Sequence, residues 1–219
     1  MIKAVLFDFD GTLINTNDLI FQSYNHAFQK VFHRDIKLEE FLKFYGRPLR
    51  KSIIEEYGDD GYELVEVYRV FNAENHDRLI KKFAGTTEGL MLLKENNIKL
   101  GVVTSKRREM VLKGIDFLEY DNMFDALVTL DDTTKHKPDP EPILKGCELL
   151  ETSPENTIYV GDSIFDIIAG HAAGTKTCAV KYSLTSKEEL LGHNPEYYCD
   201  TIHDFAKKIV QENKYEYDI

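Results

Sequence analysis

The sequence Ala4-Val5-Leu6-Phe7-Asp8-Phe9-Asp10-Gly11-Thr12 places two carboxylates and a glycine turn directly after an apolar run. A short apolar run bounded by a turn is typical of a buried strand. Removing a carboxylate from water without a partner costs several kcal/mol, so two of them at a strand end indicate a cation or a catalytic role. A lone Asp-Gly turn would need neither. The rest of the chain decides between these two interpretations.

Three further polar segments follow in order, each where an apolar run meets a turn or the start of a helix. They are Thr104-Ser105 after the run 100–103, Lys137 in His136-Lys137-Pro138-Asp139-Pro140, and Asp162 after the run 158–161, with Asp166 behind it. Ligands of open α/β sheets bind at the carboxyl ends of the strands. The order therefore predicts that all four segments meet in one crevice.

Four acids would share this crevice, and they are Asp8, Asp10, Asp162 and Asp166. Two like charges about 4 Å apart repel by roughly 4 kcal/mol at an effective dielectric constant near 20. A divalent cation removes this conflict. Because the ligands are oxygen atoms only, with no His or Cys among them, the donor set favours Mg²⁺.

With the charge offset, a carboxylate can act as a nucleophile, and on a phosphate substrate it would form an acyl phosphate. We assign Asp8 as the nucleophile, and Asp10 as the acid that protonates the leaving oxygen and then accepts a proton from water. Phosphoryl transfer also requires donors around the transferring oxygens. We expect the Thr104 hydroxyl and Lys137 to supply them, with Ser105, Gly11 and Thr12 as further substrate-binding positions.

The periodicity of the apolar residues divides the chain into two parts. From Leu19 a helical stripe begins, and no strand signal returns until about Ile98, so residues 15–82 are predicted to be an inserted all-α cap whose last helix runs from Tyr62 to about Phe83. Residues 1–14 and 83–219 alternate strand and helix, which predicts a doubly wound, Rossmann-like parallel sheet. The C-terminal segment 214–219 is expected to fray.

The inserted segment also offers a candidate substrate loop, Gly46-Arg47-Pro48-Leu49. Arginine presents a planar fork of donors to an anionic group, so Arg47 is either a substrate contact or a solvent-facing side chain in a turn between helices. A closing cap would exclude water from the reaction, and its residues would contact the leaving group and determine substrate specificity.

Composition restricts the partners. The chain has 219 residues, a formal net charge of −11, and basic residues without a concentrated face, which argues against nucleic acid binding. The three cysteines lack close Cys or His spacing, so we expect no disulfide framework and no zinc site. Without an apolar stretch of membrane-spanning length or a secretory leader, we expect a cytoplasmic protein without membrane partners, a monomer or homodimer acting on a small phosphorylated molecule.

This four-part signature resembles the haloacid dehalogenase superfamily in its capped subgroup, over nearly the whole chain. The segments 11–17, 71–72 with 76–77, and 137–142 are most similar to the bacterial pyrophosphatases linked to HPr-serine-phosphate, with phosphoglycolate phosphatases next. The resemblance implies a Mg²⁺-dependent phosphatase. It also implies that Asp10 faces the metal through its backbone carbonyl, that Asp162 binds Mg²⁺, and that Asp166 supports the ion directly or indirectly.

Three alternatives stay open at this point. A sugar-phosphate mutase on the same scaffold differs mainly in which hydroxyl accepts the phosphoryl group. A non-catalytic relative would be expected to have lost Asp8, Asp10, Lys137 or Asp162, and all four are present. A dinucleotide-binding protein would need a Gly-x-Gly-x-x-Gly turn after its first strand, where this chain has Asp8-Phe9-Asp10-Gly11-Thr12.

Overall fold

The structure is a computed structural model that describes residues 1–217, and its centre is a six-stranded parallel sheet. The strands of the chain are β1 (Ala4–Phe7), β2 (Ile14–Asn15), β3 (Lys81–Lys82), β4 (Lys99–Val103), β5 (Ala126–Val128), β6 (Thr157–Gly161), β7 (Lys176–Val180) and β8 (Tyr197–Cys199). The large sheet has the order β5-β4-β1-β6-β7-β8 with every pairing parallel, whereas β2 and β3 pair with each other in a separate two-stranded sheet.

Ten helices accompany these strands within residues 1–217. They are α1 (Asn17–Phe32), α2 (Leu38–Phe44), α3 (Leu49–Tyr57), α4 (Asp60–Leu79), α5 (Thr86–Glu95), α6 (Arg108–Phe117), α7 (Glu141–Leu149), α8 (Ile164–Ala173), α9 (Lys187–Gly192) and α10 (Ile202–Tyr217). The predicted fold class, an α/β doubly wound sheet with an inserted helical segment, is confirmed.

The chain divides into two compact units, and Asn15–Lys81 forms the second of them. The first unit contains the residues on both sides of this insertion, Met1–Ile14 and the chain from Lys82 onward. The helix predicted from Tyr62 to about Phe83 is too long. It ends at Leu79 because Ile80 is extended and Lys81–Lys82 form β3. Both lysines are exposed, so apolar periodicity gives no sign of this strand.

The first unit is organised around β1, the central strand of its sheet. Residues 4–7 pair with 99–102 of β4 on one side and with 157–160 of β6 on the other. Every residue of β1 is buried, so both faces of the strand are covered. One face packs into a cluster to which α7 and α8 also contribute, including Leu6, Ile143 and Ala169. The end of β1 therefore lies between two neighbouring strand ends.

The second unit is packed mainly by aromatic side chains from α1 to α4. Tyr24 stacks on Phe44 with ring centroids 5.6 Å apart, and it also contacts Phe41 (5.9 Å) and Tyr68 (4.7 Å). Tyr57 meets Phe28 edge to face at 5.5 Å. Aromatic pairs at such distances contribute about 0.5–1.5 kcal/mol beyond the area they bury. Ring packing therefore stabilises this unit.

The C-terminal expectation is corrected in part. Helix α10 continues to Tyr217, so the frayed segment predicted from Lys214 is helical that far, while Asp218 and Ile219 lie outside the described residues. Among the helices of residues 1–217, none has both the length and the hydrophobicity to cross a membrane. The three cysteines are buried and free, as their spacing predicts.

Candidate active site

Three neighbouring strands of the first unit end in polar residues. Asp8 follows β1, Thr104 follows β4 and Asp162 follows β6, and all three residues are buried. Since β4, β1 and β6 are adjacent and parallel, their carboxyl ends lie at one edge of the sheet. The three motifs, which are far apart in the sequence, are therefore close together in space.

Asp8 is held by its own backbone and by a lysine. Its Oδ1 accepts a hydrogen bond from Phe9 N at 2.7 Å, and its Oδ2 lies 3.0 Å from Lys137 Nζ. Burial raises the pKa of Asp8 to about 6, although the charge of Lys137 opposes this shift. Desolvation thus outweighs the nearby ammonium.

Lys137 lies at the centre of the buried charges. Its Nζ donates to Asp166 Oδ1 at 2.6 Å and to the Tyr159 hydroxyl at 3.0 Å, in addition to its ion pair with Asp8. Burial alone would lower the pKa of Lys137, but the carboxylates of Asp166 and Asp8 hold it well above its ordinary value. Tyr159 donates in turn to Val103 O at 2.8 Å. The ammonium is therefore fixed by three oxygen atoms.

The two carboxylate oxygens of Asp166 have different partners. Oδ1 faces Lys137, while Oδ2 accepts hydrogen bonds from Ser163 N (3.0 Å) and Ser163 Oγ (2.6 Å) at the start of α8. A Cβ atom at Gly161 would lie 2.3 Å from the Asp166 Cβ, so a larger residue there would displace this side chain. The capping box of α8 thus orients an acid of the site.

Three of the four predicted acids can share one cation. One carboxylate oxygen from each of Asp8, Asp162 and Asp166 lies within 4.8 Å of the others, and this is the group found in the described part of the chain. All donors are oxygen atoms, the ligands preferred by Mg²⁺. The three carboxylates are buried, and the ammonium of Lys137 pairs with only two of them, Asp8 and Asp166, so the charge of the cluster also suits a divalent ion.

The fourth acid, Asp10, is placed differently. Its carboxylate is absent from that group, and its Oδ1 instead accepts a hydrogen bond from Lys106 Nζ at 2.7 Å. Gly11 has a φ of 74°, which favours glycine, and lets the chain turn so that Gly11 N reaches Ile14 O at 2.9 Å. The Asp10 carboxylate therefore contacts Lys106 and does not join the group of three acids.

The remaining predicted residues occupy distinct places. Thr12 is buried, with its hydroxyl 3.4 Å from Asp162 Oδ1 and its carbonyl accepting from the Tyr182 hydroxyl at 2.7 Å. The Ser105 hydroxyl is buried and has no hydrogen-bond partner among the described residues. Arg47 belongs to the second unit, where its guanidinium pairs with Glu55 at 3.1 Å. The first unit thus assembles every predicted residue except Arg47.

The sequence pattern does not indicate two residues that contact the site. Lys106 precedes α6, which begins at Arg108, and its side chain reaches Asp10. Tyr159 was counted as one residue of a buried strand, although its hydroxyl bonds Lys137. The sequence offers one sign of each residue. Lys106 is a cation two residues after Thr104, and Tyr159 carries a hydroxyl inside an apolar run.

Comparison with known proteins identifies the family of this chain. The model of a family described as haloacid dehalogenase-like hydrolase matches residues 5–180. A protein from Clostridium perfringens, provisionally named as the pyrophosphatase PpaX, is 47% identical over 201 residues, covering 91% of this chain and 94% of its own length. The pyrophosphatase PpaX of Bacillus mycoides is 40% identical over 203 residues, covering 93% and 94%.

Solved structures give the same result. The crystal structure of a predicted phosphatase from Clostridium acetobutylicum aligns with a TM-score of 0.84 at 27% identity, covering 96% of this chain and 99% of that one. The matched family segment extends over most of the chain, from within β1 to the end of β7. The chain therefore belongs to the haloacid dehalogenase-like hydrolases.

Proposed function

We propose that this hydrolase is a Mg²⁺-dependent phosphatase that cleaves inorganic pyrophosphate or a small phosphorylated metabolite through an aspartyl-phosphate on Asp8. The observation that carries the proposal is the buried group of Asp8, Asp162 and Asp166, in which Lys137 pairs with Asp8 and Asp166. Such a concentration of desolvated charge costs stability, which supports a catalytic reason for it.

In the first step a carboxylate oxygen of Asp8 attacks phosphorus, and the bond from phosphorus to the leaving oxygen breaks. Asp10 gives its proton to the leaving oxygen. In the second step water attacks the acyl phosphate, Asp10 takes the proton of that water, and the Asp8 carboxylate is released with inorganic phosphate. The pairing of Asp10 with Lys106, outside the group of three acids, supports a proton-transfer role, because its carboxylate stays more accessible than that of Asp8.

The transferred oxygens need positive and hydrogen-bonding groups around them. Lys137 supplies charge beside Asp8, and the Thr104 hydroxyl lies at the adjacent strand end. We keep Gly11, Thr12 and Ser105 as proposed substrate-binding positions on the same edge. We assign residues 15–82 to a cap that supplies Arg47, and 1–14 with 83–219 to the catalytic core.

Asp8, Asp162 and Asp166 would hold the metal ion, together with the Asp10 backbone carbonyl. When bound, Mg²⁺ would offset the carboxylate charge and polarise the phosphoryl group. The three free, buried cysteines support the cytoplasmic location that we infer.

Pyrophosphate is the first substrate to test, because relatives up to 47% identical over 201 residues carry the pyrophosphatase name. Phosphate release would be measured with Mg²⁺ and with EDTA on pyrophosphate, 2-phosphoglycolate, sugar phosphates and nucleoside monophosphates. We expect magnesium-dependent release with a preference for pyrophosphate. Preference for 2-phosphoglycolate would contradict the expected preference for pyrophosphate and favour a phosphorylated metabolite as the substrate, and full activity in EDTA would contradict the requirement for Mg²⁺.

The covalent intermediate has a separate test. Asp10→Asn, reacted with ³²P-pyrophosphate and quenched in acid, should retain label that hydroxylamine removes, because the second step is slowed in this variant. Asp8→Asn provides the control and should retain none. Equal labelling of the two variants would rule out Asp8 as the nucleophile.

A further inference from the structure

Two lysines contact the Asp8-Phe9-Asp10 segment, one for each carboxylate. Lys137 Nζ lies 3.0 Å from Asp8 Oδ2, and Lys106 Nζ lies 2.7 Å from Asp10 Oδ1. The two pairs differ in exposure, since the Lys137 side chain is 2% exposed whereas Lys106 and Asp10 are 12% and 21% exposed. The Lys106 pair is the one that a solvent-borne ligand can reach.

The main chain of Lys106 is fixed at the end of β4. Its N–H donates to Thr104 Oγ1 at 3.3 Å, and its carbonyl accepts from Leu130 N at 3.0 Å. From there the side chain crosses to the end of β1, where Nζ meets Asp10 and lies 5.9 Å from the centre of the Phe9 ring. The ammonium therefore has a defined position beside the carboxylate.

The position of Asp10 locates the leaving group. An acid that protonates the leaving oxygen must approach it to within about 3 Å. Because Lys106 Nζ is 2.7 Å from the same carboxylate, the leaving group must also lie next to an ammonium. Such a charge does little for a neutral alcohol, but it binds a phosphate or carboxylate strongly.

We propose that Lys106 binds the leaving group and selects substrates whose leaving group is anionic, such as the second phosphate of pyrophosphate. Lys137 then serves the transferred phosphoryl group, and Lys106 serves the group that departs. An ammonium has three donors and the pair with Asp10 uses one, so Lys106 can hold the acid and the leaving group together. This inference rests on the proposed roles of Asp8 and Asp10.

The test compares substrates with an anionic leaving group against substrates with a neutral one. 2-Phosphoglycolate and 2-hydroxyethyl phosphate form a matched pair, and pyrophosphate and methyl phosphate form a second. We expect Lys106→Met to lower kcat/KM about 30-fold for the anionic member of each pair, the size expected for a lost charged hydrogen bond, and less than about 3-fold for the neutral member. Lys106→Arg should recover part of the loss.

Lys145→Met is the matched control, because Lys145 pairs with Glu148 (3.8 Å) on α7. It should leave both pairs of substrates unchanged. A binding measurement separates recognition from proton transfer. Lys106→Met should raise the inhibition constant of methylenediphosphonate at least 10-fold and leave that of methylphosphonate unchanged.

Two results would overturn the proposal. An equal loss on charged and neutral substrates would show that Lys106 acts only by positioning Asp10, and no loss on either would show that the ion pair is incidental. A wild-type enzyme that cleaves 2-phosphoglycolate but not pyrophosphate would instead contradict the proposed substrate. The 2-phosphoglycolate pair and the two phosphonates would still decide the role of Lys106.

Discussion

The first unit buries charge, whereas the second buries aromatic rings. Four charged residues of the first unit are at most 6% exposed, and they are Asp8, Lys137, Asp162 and Asp166. In the second unit, Asn15–Lys81, no Asp, Glu, Lys or Arg is buried. Its charges form surface pairs such as Arg34 with Glu40, and its interior contains rings such as Tyr24 and Phe41.

The two units therefore differ in what burial contributes to the free energy of folding. Burying a charge is unfavourable because the charge loses its water, so buried charges are retained where the chemistry requires them. Ring packing is favourable in itself and stabilises the fold. Substitutions at the sheet edge should therefore change turnover more than stability, and substitutions in the ring cluster should do the opposite.

The largest effect is expected at the nucleophile. Asp8→Asn removes the oxygen nucleophilicity on which both chemical steps depend, so kcat should fall at least about 10⁴-fold, the scale seen when a reacting group is lost. Steady-state phosphate release measures it, with the exposed Asp204→Asn as the control. A kcat of Asp8→Asn above about 1% of the wild-type value would contradict the assignment of Asp8 as the nucleophile.

The ring cluster should respond through stability. Phe41 is 1% exposed and meets Phe21 at 5.2 Å, so Phe41→Ala should lower the free energy of unfolding by about 3–5 kcal/mol. Leu38→Ala, in the same helix but 64% exposed, should cost less than about 0.5 kcal/mol. Urea denaturation measures both. Similar losses for the two variants would remove the distinction between the units.

The buried charge should also appear in the pH dependence of stability. The pKa of Asp8 is raised to about 6 in the folded protein, so its contribution to stability is complete below its unfolded value near 3.8 and is lost as pH rises through about 6. In EDTA, Asp8→Asn should therefore be more stable than the wild type by about 3 kcal/mol at pH 7.5.

At pH 4.5 this advantage should shrink to about 1 kcal/mol, because most of the Asp8 carboxyl in the folded wild type is then protonated while that of the unfolded chain is still mostly ionised. Urea midpoints at the two pH values give the comparison. An advantage of the same size at both values would show that desolvation of Asp8 is not its cause.

The smallest effect is expected at Arg47. Its pair with Glu55 is exposed and contributes at most about 1 kcal/mol to folding. Arg47→Ala should nevertheless raise KM for pyrophosphate about 10-fold if its guanidinium binds the substrate. Arg69→Ala, which breaks the similar Arg69–Glu66 pair, should not. If the two variants had the same KM for pyrophosphate, Arg47 would be a solvent-facing side chain without a substrate contact.

Strand ends were predictable because each follows an apolar run. Asp8, Thr104 and Asp162 could be placed together from the sequence since parallel strands end at one edge. Cross-strand contacts could not, because periodicity does not state which strands are neighbours or how far a side chain reaches. Lys106 is the example, since its role depends on β4 lying beside β1.

Asp166 illustrates an intermediate case. Its place near the other acids followed from the motif, but its hydrogen bonds to Ser163 show that it also caps α8. The Ser-x-x-Asp spacing was readable as a capping box. What the spacing could not give is the division of its two oxygens between the helix and Lys137.

The central position of β1 also affects how the chain folds. This strand leaves the ribosome before its partners, residues 99–102 and 157–160. Until residues 157–160 have been made, the strand before the proposed nucleophile lacks one neighbour and remains an apolar edge. Pairings this distant in sequence slow folding and expose edges to aggregation. During synthesis, the segment that leads into the candidate active site is therefore exposed to such aggregation.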